Sequence, residues 1–64
     1  MGIRFFRKKS NMTQVAVAQK LGVDQTTVSK WEKGEALPRA DTLIKLASLF
    51  NCTVDELLKP AKAD

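Results

Sequence analysis

Apolar residues recur along this chain three and four positions apart, the spacing of a helix face, and nowhere alternate with the period of two that marks a strand. Glycine, asparagine and proline cut the pattern into short segments. Ile3, Phe6 and the stem of Arg7 share one face of a basic segment over residues 3–9, which Ser10 and Asn11 end. Thr13 is placed to cap a second helix over residues 14–21, its hydroxyl accepting an otherwise unpaired backbone N–H. Val17, Ala18 and Leu21 line one side of that helix, and Gly22 stops it in a conformation that favours a residue without Cβ. Asp24, a good N-cap residue, opens a third helix over residues 25–33, ended by Gly34. Val28 and Trp31 face inward there, leaving Gln25, Thr26, Ser29, Lys30 and Lys33 outside. The β-branched run Thr26-Thr27-Val28 makes this helix weak by itself, so packing must hold it.

Residues 35–38 read as a loop ending in Pro38. A fourth helix over residues 40–50 turns Leu43, Leu46, Ala47 and Phe50 inward, and Asn51 can end it in the left-handed conformation. Thr53-Val54-Asp55-Glu56 has the form of a capping box for a fifth helix, with Cys52 and Leu57 at the two positions of a hydrophobic staple. Lys59-Pro60 closes the structured part. The expectation is an all-α domain over residues 1–59 with a short flexible tail, residues 60–64. A chain of 64 residues has room for one domain, burying only about 60% of the surface its unfolded form exposes.

Composition narrows the chemistry. The sequence has no His, no Tyr and one cysteine, and it shows no glycine-rich phosphate loop. Asp55 and Glu56 adjoin each other, but in the first turn of a helix, where acids favour the dipole. No enzyme activity, metal, cofactor or small-molecule ligand is therefore expected. No apolar run is long enough to span a bilayer, and Met1-Gly2-Ile3-Arg4 lacks the apolar segment of a secretory signal. Gly2 would suit myristoylation only with Ser or Thr at position 6, where Phe6 stands. A lone cysteine rules out an internal disulfide and fits a reducing cytoplasm, the expected location.

Charge is more informative by place than by total. Residues 1–34 carry seven basic side chains against Asp24 and Glu32, net +5, whereas residues 35–64 carry four basic against five acidic, net −1. A one-sided basic balance is the footprint of a polyanion-binding surface. Charge alone leaves open a merely solvated lysine-rich face.

The stretch from Gln14 to Glu32 decides between them. Ala18 is small enough for a second helix to cross closely above it, Gly22 makes the turn and Val23 plugs the corner. Val28 and Trp31 clamp the second helix onto the first. A steep crossing frees one face of that helix to project from the surface, and the free face is polar and basic. Trp31 could stack on single-stranded nucleic acid, but its spacing from Val28 assigns it to the core. Cys52, at its staple position, likewise reads as core rather than as a redox switch.

In these residues the chain resembles the lambda repressor and Cro type of helix-turn-helix domain, the xenobiotic-response-element family. Carrying the resemblance are Arg7, Thr13-Gln14, Val17-Ala18, Leu21-Gly22-Val23, Val28, Trp31-Glu32-Lys33-Gly34, Pro38, Leu43, Leu46-Ala47 and Asp55-Glu56-Leu57. Val15 and Ala16 depart from it, standing where the family often has Glu. The resemblance implies a compact five-helix fold and sequence-specific binding of double-stranded DNA by a transcriptional regulator, expected to be a repressor. It implies that Gln25, Thr26 and Lys30 reach base edges. Gln14 would meet a phosphate at a helix N-terminus, and Asp24, Thr27, Ser29, Lys33 and the 34–38 loop would lie along the backbone. The chemistry agrees, since Gln pairs bidentately with adenine, Lys donates to guanine and a Thr methyl touches a thymine methyl.

Glu32 is the exception on this helix, because a carboxylate facing DNA would repel it. Its spacing from Val28 and Trp31 turns it inward or sideways, and the resemblance pairs it with Arg7 as a structural lock. A single recognition helix reads few base pairs, so a homodimer on a palindromic operator is expected. Ile44, Leu49, Val54 and Leu58 are the candidate dimer contacts. Two other readings use the same residues: a DNA-binding antitoxin that also holds a toxin protein, and a helical interaction module that binds no DNA.

Overall fold

The structure, a computed structural model, describes residues 1–59; the expected tail, residues 60–64, lies outside them. Five helices follow one another: α1 (Ile3–Lys9), α2 (Gln14–Leu21), α3 (Gln25–Lys33), α4 (Ala40–Leu49) and α5 (Val54–Leu58). No strand occurs among the described residues, and no helix is long and apolar enough to cross a membrane. The all-α expectation holds.

Each helix delivers one aliphatic side chain to complete burial: Ile3, Val17, Val28, Leu46 and Leu57 in chain order. Burying each is worth about 1.5–3 kcal/mol, and because all five come from different helices, no helix can leave without opening the shared core. Ala18 and Ala47 let neighbouring helices approach closely, while Trp31 and Phe50 fill the remaining volume, all four being buried. Trp31, 5% exposed, offers no face to a base.

Four helices end by one device. Asn11, Gly22, Gly34 and Asn51 adopt positive φ of 57°, 71°, 76° and 55°. The residue after each donates its N–H five positions back: Met12 to Arg7 at 3.1 Å, Val23 to Ala18 at 3.0 Å, Glu35 to Lys30 at 2.9 Å and Cys52 to Ala47 at 2.9 Å. The bond satisfies a terminal carbonyl and turns the chain sharply. Met12, Val23 and Cys52 then pack against the core, so each stop also anchors the following segment.

Helix starts match the sequence reading less uniformly. Thr13 accepts from the Ala16 N–H at 3.0 Å. Thr53 and Glu56 form the complete capping box, Glu56 N–H to Thr53 Oγ1 at 3.0 Å and Thr53 N–H to Glu56 Oε1 at 2.9 Å. Asp24 occupies the N-cap position of α3, but its carboxylate makes no capping bond. Its carbonyl closes the first turn instead, accepting from the Thr27 N–H at 3.0 Å, and the exposed carboxylate keeps only its favourable place at the positive end of the helix dipole. The fourth helix stops at Leu49, one residue short of expectation, with Phe50 as its C-cap. Gly2 is buried at the start of α1, where its N–H donates to the Leu57 carbonyl at 2.8 Å and ties α1 to α5.

Candidate nucleic-acid interface

The packing of α2 against α3 is the most extensive between any two helices of the fold. It follows from the short turn at Gly22 and Val23 and from the pairing of Val17 and Ala18 with Val28 and Trp31 in one core. Pinned by its inner side, α3 presents its outer side to solvent. Gln25, Thr26, Lys30 and Lys33 are exposed there together with Asp24, while Thr27 and Ser29 are half-buried on its flanks. The first turn of α3 after Asp24 holds no acid and the last turn holds Lys30 and Lys33. The outward face is thus hydrogen-bonding at its start and cationic at its end.

Beneath this face lies the expected ion pair. Arg7 Nε donates to Glu32 Oε2 at 2.6 Å and Arg7 Nη2 to Glu32 Oε1 at 3.2 Å. The third arm, Nη1, donates to the Met12 carbonyl at 2.9 Å. The side chains are 13% and 6% exposed, so water screens the pair little. The carboxylate that would repel phosphate is thereby neutralised and turned away from solvent, and α1 is bolted to α3.

Two further bonds extend the pair and were absent from the sequence reading. Gln14 Nε2 donates to Glu32 Oε1 at 2.9 Å, and Gln25 Nε2 donates to Gln14 Oε1 at 2.7 Å. Gln14, expected only at a phosphate, is half-buried and links the ion pair to the first residue of α3. The signal was the placement of a Gln at the first position of both helices, but nothing local says that the two side chains meet. No buried side-chain nitrogen or oxygen among the described residues lacks a partner.

The candidate dimer residues divide. Ile44 and Leu58 are 63% and 52% exposed. Leu49 and Val54 are half-buried and pack against the core, which already accounts for them. Leu37, in the loop before α4, is the most exposed large apolar side chain among the described residues at 77%. Phe5 is half-buried, edge-on to Phe6 at 5.1 Å between centroids, with the Lys9 ammonium 6.0 Å above its ring. Cys52 is half-buried, and burial, followed by the Glu56 carboxylate, pushes its thiol pKa up, away from the reactive thiolate.

A tight glycine turn between two helices, the second pinned at its back and polar and basic at its front, defines a helix-turn-helix domain. Residues 3–57 match the helix-turn-helix family model, and the chain belongs to that family. Among similar proteins, the cryptic phage CTXphi transcriptional repressor RstR of Vibrio cholerae is 39% identical over 80% of this chain and 46% of its own length. The HTH-type transcriptional activator BcrR of Enterococcus faecalis is 40% identical over 81% of this chain and 26% of its own. The uncharacterized HTH-type transcriptional regulator YazB of Bacillus subtilis is 37% identical over 94% of this chain and 87% of its own. The chain thus spans less than half the length of the first two and most of the third. No solved structure significantly matches the chain.

Proposed function

We propose that this chain is the DNA-binding unit of a cytoplasmic transcriptional regulator, which reads double-stranded DNA sequence-specifically with α3 in the major groove. The carrying observation is the outward face of α3, on which Gln25, Thr26, Lys30 and Lys33 are exposed while Val28, Trp31 and Glu32 hold the helix from behind. Gln25, Thr26 and Lys30 read bases, each well-made pairing contributing about 1–3 kcal/mol of discrimination. Lys33, Thr27, Ser29 and the 34–38 loop lie along the sugar-phosphate backbone, with Asp24 beside them at the N-cap of α3, and Gln14 adds a phosphate contact from the start of α2. Such contacts set affinity and register without sequence information.

The operator is a palindrome bound by a homodimer, its half-sites about 34 Å apart. Ile44 and Leu58, exposed and apolar, are the residues available for that contact, with Leu49 and Val54 at its edge. The regulation is repression by occlusion of a promoter, which binding alone accomplishes; RstR bears the name of a repressor.

Selection from a random duplex library at fixed ionic strength tests the reading. A palindromic consensus with half-sites one helical turn apart is expected, and Gln25→Ala with Lys30→Ala should abolish the enrichment. Unchanged binding by that double variant would refute base reading by α3. Sedimentation showing a monomer at high concentration, with and without the selected duplex, would refute the homodimer.

A further inference from the structure

Arg7, Glu32, Gln14 and Gln25 form one hydrogen-bonded line from the interior to the exposed start of α3, and their chemistry permits one arrangement. Both oxygens of Glu32 only accept. The Arg7 guanidinium takes Oε2 at 2.6 Å and reaches Oε1 at 3.2 Å. Gln14 must therefore turn its NH2 group inward, where it stands 2.9 Å from Oε1. An amide so turned presents its carbonyl oxygen outward, and Gln25 must meet that oxygen with its own NH2 group, at 2.7 Å. Gln25 is left with one free N–H and its carbonyl oxygen, on an exposed side chain.

We propose that the Arg7–Glu32 pair, acting through Gln14, sets the amide polarity of Gln25 and so makes it select adenine over guanine. The proposal rests on the reading that α3 enters the major groove. There adenine offers one acceptor and one donor, N7 and the N6 amino group, which the remaining N–H and oxygen of Gln25 match. Guanine offers two acceptors, N7 and O6. A Gln25 with one N–H left satisfies one of them and sets its own carbonyl oxygen against the other. With the line reversed, Gln25 would accept from Gln14 and keep both N–H groups for the base, a pattern that suits guanine. Glu32 and Gln14 are positioning residues and need touch no base.

Glu32→Gln tests this directly. The guanidinium still requires an acceptor, so the substituted amide gives Arg7 its oxygen and Gln14 its NH2 group. Gln14 then turns over, and Gln25 with it. The readout is the adenine-to-guanine binding ratio at the base pair whose preference Gln25→Ala relaxes. It is measured by competition between two duplexes differing only there, at a temperature where melting curves show each variant folded. The wild type should favour adenine about tenfold. Glu32→Gln should cut the ratio by roughly tenfold, and Gln14→Met, which breaks the line but leaves the ion pair, should give an intermediate ratio.

A purely structural Glu32 would weaken binding to both duplexes alike and leave the ratio unchanged. A wild-type ratio in the folded variants, or a base other than adenine at the relaxed position, overturns the proposal while α3 remains the reader. If Glu32→Gln does not fold, Gln14→Met decides alone. A wild type that binds every duplex equally overturns the groove reading, and this proposal with it.

Discussion

Replacing Arg7 by Met keeps most of the side-chain stem and removes the charge, which isolates what the ion pair contributes. In the native domain Glu32 is 6% exposed and receives hydrogen bonds from Arg7 and Gln14. Arg7→Met leaves the carboxylate in the same place with Gln14 as its one remaining side-chain donor, and leaves the Met12 carbonyl without its guanidinium partner. Stranding one member of a buried pair costs about 3–5 kcal/mol. The surviving Gln14 bond puts the expectation at the lower end, about 3 kcal/mol. A domain of this length has only about 3–10 kcal/mol of stability in all. At about 4–8 °C per kcal/mol, the melting temperature should fall by at least some 12 °C.

The informative assay is a double-mutant cycle by urea or thermal unfolding with Arg7→Met, Glu32→Leu and the two combined. Removing both charges abolishes the stranded ion, so the double variant should exceed Arg7→Met in stability by about 2 kcal/mol. Strictly additive effects, or a cost below about 1 kcal/mol for Arg7→Met, would place the pair among ordinary surface ion pairs and refute the reasoning from burial.

Three smaller perturbations test other parts of the fold and site. Thr13→Ala removes the hydroxyl that accepts from Ala16 and should cost about 1 kcal/mol in unfolding experiments, with Thr13→Ser recovering most of it. Gly22→Ala meets nothing within 4 Å of the new Cβ, so its cost is the left-handed backbone alone, about 1–2 kcal/mol, and Gly22→Asn should cost less. The Glu56 carboxyl is held below its usual pKa, first by the Thr53 backbone N–H and then by the Thr53 hydroxyl. Its pKa is lower folded than unfolded, so its stabilisation is present above the unfolded carboxylate value and is lost as pH falls through the folded one. Glu56→Gln should flatten that acid limb of the stability profile, and an unchanged limb would refute the assignment.

Local chemistry made much of this domain legible before any packing was known. Asn11, Gly22, Gly34 and Asn51 announce the helix ends because few other residues tolerate positive φ, and that preference belongs to the residue itself. Thr13 and Thr53 cap because their hydroxyls reach backbone within three residues. The inward residues, from Val17 to Leu57, follow from helical spacing, and the free face of α3 is simply what that spacing leaves over.

Interactions between distant segments could not be read this way. Asp24 has the right chemistry for a cap, yet its carboxylate makes no capping bond, and the α3 turn is closed by backbone alone. Leu49 and Val54, read from the sequence as candidate dimer contacts, pack against the core once α4 and α5 are in place. Gly2 gained its meaning only when Leu57, 55 positions on, came to accept its N–H. The line from Arg7 to Gln25 joins three helices, and each bond in it depends on how α1, α2 and α3 cross. Residue types and spacing thus settle where this chain coils and which faces it hides. Packing alone settles which way the Gln25 amide points, because its bond runs to Gln14 on another helix, which in turn meets Glu32, two turns farther along the same flank of α3.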